Sequence, residues 1–187
     1  NNGQGSADTE TGAYTLIGGT ATPSNGTTVT RNDGANIFLP SENEWYKAAY
    51  YSAGGVYFDY PTGTNSVTGC VAPGSDTGNS ANCEYAVGAA TDVGAYLLSD
   101  SPYGTYDQGG NVYEWNEQIV SGSYRGIRGG GWVNNAGSLA ASTPNGLGPA
   151  GESSYVGFRV IPEPGTGLLV MTGLLGLAAR RRRSGQA

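Results

Sequence analysis

The sequence predicts a loop-rich globular domain of mixed strand and helix, followed by a short C-terminal appendage. Three observations point there. Gly is abundant, at 33 of 187 residues, and charged residues make up only 13%, a composition of turns rather than of a helical bundle. Short strand-like runs alternate with turn signals. The length fits one domain plus an appendage.

The elements follow in order. Ala13-Tyr14-Thr15-Leu16-Ile17 and Thr27-Thr28-Val29-Thr30 read as short strands between turns. Asn32-Asp33-Gly34 is a turn signal, and Asn36-Ile37-Phe38-Leu39 is a further strand. The clearest helix runs from Ser41 to Tyr51. Ser41 and Glu44 form an S-x-x-E capping box, which satisfies two orphan N–H groups reciprocally. Glu42 and Glu44 sit in the first turn, where the helix dipole favours negative charge. Trp45, Ala48 and Ala49 fall at i, i+3 and i+4 and give the helix one apolar, core-building face. Residues 52–100 read as a long irregular segment. Three compact segments follow, 106–115, 125–132 and 156–160, and then a linker over 161–167.

The charge pattern excludes one class of function. Four of the nine basic residues are Arg180 to Arg183, which leaves five basic against fifteen acidic side chains in residues 1–179, a net charge of −10. Such a surface repels phosphates, so no nucleic-acid partner is expected. The sequence holds no His, and so lacks the commonest metal ligand and general base. Cys70 and Cys83 are 13 apart; in an oxidising compartment they could pair, or they could remain free. The start at Asn1 shows no Met, basic n-region or apolar h-region. It reads as the C-terminal portion of a longer chain, or alternatively as a mature N-terminus.

The tail reads Ile161-Pro162-Glu163-Pro164-Gly165, an apolar stretch from Leu168 to Ala179, and four arginines. The apolar run is short for a spanning helix of roughly 20 residues, and the arginines would stay cytoplasmic. This order resembles the PEP-CTERM signal, which exosortase-type transpeptidases process. The resemblance implies export, transient membrane anchoring through the C-terminal segment, and delivery to the bacterial cell surface or extracellular matrix. An ordinary C-terminal anchor is the alternative. The domain boundary is placed at 160/161, with 161–187 as sorting segment.

Four segments carry a second resemblance. Phe38-Leu39-Pro40-Ser41-Glu42-Asn43-Glu44-Trp45, Gly110-Asn111-Val112-Tyr113-Glu114-Trp115, Arg128-Gly129-Gly130-Gly131-Trp132 and Gly157-Phe158-Arg159 occur in this order. Together they are similar to the formylglycine-generating enzyme family, or sulfatase-modifying factor domain, over residues 1–160. The resemblance implies a C-type-lectin-like α+β fold with little regular structure and with the three Trp packed as core. The family's N-terminal part is not matched.

The resemblance also implies a structural Ca²⁺ held by the Asp107 and Glu114 side chains and by the Gly110 and Val112 carbonyls. The spacing agrees, because two carboxylates bracket a Gly-Gly-Asn turn and hard oxygen ligands suit Ca²⁺. The alternative is a solvated turn in which Glu114 caps backbone groups.

Active members of the family oxidise a substrate cysteine with copper held by two cysteines beyond the R-G-G motif. The matching positions here are Asn134 and Ser138, neither a soft ligand for Cu(I). A sister branch holds iron through histidines, which this chain lacks. Neither copper nor iron is expected, and Asn134, Asn135 and Ser138 are expected to line a polar groove. The favoured expectation is a non-catalytic, Ca²⁺-stabilised surface or matrix module that binds a glycan or matrix polypeptide. The alternatives are a formylglycine-generating-type oxidoreductase with an altered or incomplete site, and a purely structural ectodomain.

Overall fold

Regular structure is sparse in residues 12–162, the part described by the computed structural model. In chain order the elements are β1 (Ile37–Phe38), α1 (Glu42–Tyr50), β2 (Gly69–Cys70), β3 (Ser80–Ala81), β4 (Tyr113–Val120), β5 (Tyr124–Arg128), β6 (Asn145–Leu147), β7 (Val156–Gly157) and β8 (Ile161–Pro162). Two 3-10 turns, Pro73–Ser75 and Ala136–Leu139, complete them. The main sheet has the order β6-β5-β4-β7. Its centre is the antiparallel hairpin β4–β5, in register at Glu114 opposite Arg128 and shifted by a bulge between Trp115 and Ile119. β7 joins parallel to β4, β1 pairs antiparallel with β8, and β2 runs parallel to β3.

Helix α1 forms as its start signals require. Ser41 is the N-cap, its hydroxyl accepts from the Glu44 N–H, and the Glu44 carboxylate accepts from the Ser41 N–H. Trp45, Ala49 and Tyr50 are fully buried and pack with Ala141. A second cluster joins Tyr60, Ala81, Cys83 and Leu139. The Tyr50 hydroxyl bridges the two by donating to the Leu139 carbonyl at 2.8 Å. Cys70 and Cys83 form a disulfide that ties β2 to the residues just beyond β3 and seats Cys83 in the core.

The floor between α1 and the sheet is polar rather than apolar. Glu42 accepts from Arg128 and from the buried Asn116, while Arg128 also donates to the Ala141 carbonyl at 2.8 Å. Glu117 accepts from the Tyr14 hydroxyl at 2.6 Å and from Arg31. Burial first, and then the Glu117 carboxylate, push the Tyr14 hydroxyl well above its ordinary pKa. These charged hydrogen bonds let a sheet with buried Glu114, Asn116 and Arg128 be satisfied without water.

Two expectations need correction. The strands at 13–17 and 27–30 do not form; only an isolated bridge joins Tyr14 to Arg31. The Asn25 side chain takes the place of a ladder, donating to the Thr15 carbonyl and accepting from the Ile17 N–H. Of the three Trp, only Trp45 is fully buried; Trp115 and Trp132 are half-buried. The apolar stretch 168–179 and the arginines beyond it lie outside the described residues. Among the described residues no helix is long and apolar enough to cross a membrane.

Candidate functional site

The 107–114 segment is a loop of left-handed residues that runs into β4. Asp107, Gly110 and Asn111 have φ of 56°, 76° and 63°. Gly110 is required twice over: its φ suits glycine, and a Cβ there would lie 2.6 Å from the Asn82 carbonyl oxygen. The Asn111 carboxamide holds both the N–H and the carbonyl of Thr91. The Asn of the G-N-V-Y-E-W pattern therefore clamps a neighbouring loop.

Glu114 lies at the start of β4. Its Oε2 accepts from the Trp45 indole N–H at 2.6 Å and from Arg159 Nε, and its Oε1 accepts from a second Arg159 nitrogen at 2.6 Å. The same guanidinium donates to the Tyr106 carbonyl at 3.0 Å. One carboxylate thus joins three of the four sequence patterns: the helix, the G-N-V-Y-E-W strand and the G-F-R segment.

Asp107 is held differently. Its Oδ2 accepts from the Gly94 N–H at 2.6 Å. Burial raises its carboxyl above the ordinary value, against the lowering effects of Gly94 and of nearby Arg159. Beside it a cavity of about 10 Å³, room for one water-sized group, is lined by Thr68 and Gln108 among others. The buried Thr68 Oγ1 and Gln108 Oε1 make no hydrogen bond among the described residues. A partly buried, incompletely compensated carboxylate beside orphaned oxygens has the chemistry of a hard-cation ligand, although Gly110 and Val112 do not line this cavity. Glu114 fits it less well, because both of its oxygens are already occupied by Arg159 and Trp45.

The positions expected to form a groove are engaged in local turns. Asn134 Oδ1 accepts from the Gly131 N–H at 3.0 Å, and its carbonyl accepts from Glu84. Asn135 precedes the 3-10 turn, and its carbonyl accepts from the Ser138 N–H at 3.0 Å. The Ser138 hydroxyl reaches Asn135 Oδ1 only at 3.5 Å. The structure brings Asn135 and Ser138 together and directs Asn134 back to Gly131.

A different hollow has no counterpart among the sequence expectations. A groove of about 590 Å³ lies between the 12–29 segment and the β4–β5 hairpin, lined in part by Tyr14, Trp115, Glu117, Arg125 and Pro149. Its charges are already satisfied. Arg125 donates to the carbonyls of Gly26, Val29 and Glu117, and burial lowers its pKa. No short pattern marks this groove, because it exists only once the N-terminal segment folds back over the hairpin.

Comparison with known proteins places this geometry. The model of the sulfatase-modifying factor enzyme 1-like domain matches residues 14–164. The PEP-CTERM protein-sorting motif matches residues 160–183. Among solved structures, the chain is similar to Treponema denticola variable protein 1, with 25% identity and a TM-score of 0.58 over 74% of this chain and 52% of that one. It is also similar to CarF (24% identity, TM-score 0.51, 73% of this chain and 52% of that one). PvdO from Pseudomonas aeruginosa shares the fold at 21% identity and a TM-score of 0.50, over 66% of this chain and 51% of that one. The chain spans about half the length of each. No curated protein sequence matches it.

Proposed function

Because the chain belongs to the sulfatase-modifying factor enzyme 1-like domain family and carries a PEP-CTERM motif that makes it an exported, sorted protein processed by an exosortase-type system, we propose that it is a non-catalytic binding module of the cell surface or matrix. One observation carries this reading: the chain offers no thiol at the place where the family's copper chemistry needs two. Asn134 and Ser138 stand there and form turns. The only two cysteines of the sequence are joined to each other in the core. A thiolate pair for Cu(I) cannot be assembled from these residues. The scaffold bonds survive, and fold without the reactive residues does not carry the reaction.

The test is copper-dependent oxidation of a cysteine in a peptide substrate by the purified chain. No turnover above the copper-only control is expected, and clear formation of an aldehyde product would sink the proposal.

Ca²⁺ enters the same reading as a stabiliser of the 107–114 loop. Asp107 and the carbonyls of Gly110 and Val112 would hold it, with Glu114 contributing only if it releases Arg159. When bound, the ion would supply positive charge to the partly buried Asp107 carboxylate. Saturating Ca²⁺ is expected to raise the melting temperature and Mg²⁺ to do so less. Equal melting in calcium and in chelator would mean that the loop takes no calcium.

A further inference from the structure

The sequence holds three Asn-Gly pairs, Asn2-Gly3, Asn25-Gly26 and Asn145-Gly146. The first lies outside the described residues. An Asn followed by Gly is open to attack by its own backbone, because Gly has no side chain to shield its nitrogen and turns most freely. The fold treats the two described pairs in opposite ways.

Asn25 is locked. Its Nδ2 donates to the Thr15 carbonyl at 2.8 Å and its Oδ1 accepts from the Ile17 N–H at 2.9 Å. The Gly26 N–H donates to the Pro23 carbonyl at 3.1 Å, and Gly26 is buried against Pro149. Bringing that nitrogen onto the Asn25 carboxamide would break all of these hydrogen bonds.

Asn145 is exposed and begins β6, a three-residue strand at the edge of the main sheet. In an antiparallel pair only alternate residues exchange backbone hydrogen bonds. The register sets Gly146 opposite Gly126, between the Asn145–Ile127 and Leu147–Arg125 pairs. The Gly146 N–H takes no part in that ladder and donates to Asn145 Oδ1 at 2.8 Å. The nitrogen thus already lies against the carboxamide of its own neighbour. Among the described residues the one other tie of that carboxamide is a long bond, 3.3 Å, from its Nδ2 to the Tyr113 hydroxyl. Ring closure then needs a turn about the Asn145 Cα–C bond, at the end of a short edge strand, where pairing opens most readily.

We propose that Asn145-Gly146 is a spontaneous modification site. The Gly146 nitrogen loses its proton to solvent and bonds to Asn145 Cγ, while the Cγ–Nδ2 bond breaks and ammonia leaves. Water then opens the succinimide. Breaking the bond from nitrogen to Cγ leaves an aspartyl residue. Breaking the bond from nitrogen to the backbone carbonyl leaves an isoaspartyl link, in which the main chain runs through Cβ. Water is the only co-reactant. Both products gain a negative charge, and the isoaspartyl link lengthens the backbone, so Gly146 and Leu147 lose their register with β5. β6 leads directly to Pro149, which packs on Gly26 at the rim of the groove of about 590 Å³. The reaction loosens the strand that holds this rim, and it does so irreversibly.

The test incubates the full chain at mildly alkaline pH, folded and in guanidinium chloride, and reads amide against acid at Asn25 and Asn145 by peptide mapping. In the folded chain Asn145 should convert at least about tenfold faster than Asn25. Unfolded, the two rates should come within about threefold, because the protection of Asn25 is structural. Aged wild type should lose amide hydrogen-exchange protection in the β5–β6 pair. Asn145→Gln, which would have to close a larger ring, should keep both its amide and that protection. Equal rates at the two Asn in the folded chain would overturn the proposal. So would an Asn145 still amidated in the folded chain when the unfolded chain has converted there completely. Conversion with β5–β6 protection intact would overturn the loosening of the strand.

Discussion

The Glu114 centre lies within the family's patterns and the 134–138 turn just beyond one of them, and the two are built from different bonds. At Glu114 a side chain only 7% exposed is neutralised by Arg159 and by the Trp45 indole, with partners 45 and 69 residues away in sequence. At 134–138 the side chains of Asn134 and Ser138 bond to groups three residues away, and those groups are neutral. The side chains of the first region join distant segments; those of the second shape only their own loop, and its reach to Glu84 is made by the Asn134 backbone carbonyl. The charged bonds of this molecule lie where segments are joined, and the 134–138 turn is built without them.

The sharpest way to break this contrast is Arg159→Ala. It leaves Glu114 buried with only the Trp45 indole as donor, and removing one partner of a buried pair costs about 3–5 kcal/mol. The urea midpoint should fall accordingly at unchanged slope. Adding Glu114→Gln should recover part of the loss, because the stranded charge is gone. If the double variant is no better than the single, charge is not what holds the centre.

The disulfide comes next in size. Cys70→Ala/Cys83→Ala opens a short loop, for which chain entropy predicts a loss of about 3 kcal/mol. Reductant should destabilise wild type by a similar amount and leave the variant unchanged. A variant as stable as wild type would show that the core around Tyr60 and Leu139 suffices without the link. Smaller still is Ser41→Ala, which removes the helix N-cap and should cost about 1 kcal/mol in the same urea unfolding.

How much of the molecule is legible in its sequence depends on the range of each interaction. The helix is legible because its cap is local: Ser41 and Glu44 are three residues apart and satisfy each other wherever the chain goes. The strands expected at 13–17 and 27–30 are absent although both runs are rich in strand-favouring residues. Asn25 offers the backbone a competing partner from a distance that pattern does not register. The cysteine pair stays open in the sequence because a separation of 13 allows pairing without requiring it; parallel β2 and β3 bring the two Cα atoms to 4.8 Å. The spacing of Asp107 and Glu114 suggests a shared ligand role, but spacing carries no trace of Arg159, which arrives from beyond β7. The packing of Tyr51 against Tyr103 is not legible, since thirteen Tyr in a composition do not say which of them the fold will bring together.

Ser138→Ala should have the smallest effect and is the most telling control on the contrast. The hydroxyl lies 3.5 Å from Asn135 Oδ1, at the limit of a hydrogen bond, while the 3-10 turn is closed by the Ser138 backbone N–H, which the substitution leaves in place. Ala has no worse a preference for such a turn, and no cavity opens because only one oxygen is lost. Stability should therefore stay within about 0.5 kcal/mol of wild type, as for a half-buried position with no network behind it. A loss above about 1 kcal/mol in urea unfolding would mean that the hydroxyl is bonded to more than its own turn. The 134–138 segment would then be a second organising centre rather than a self-contained turn.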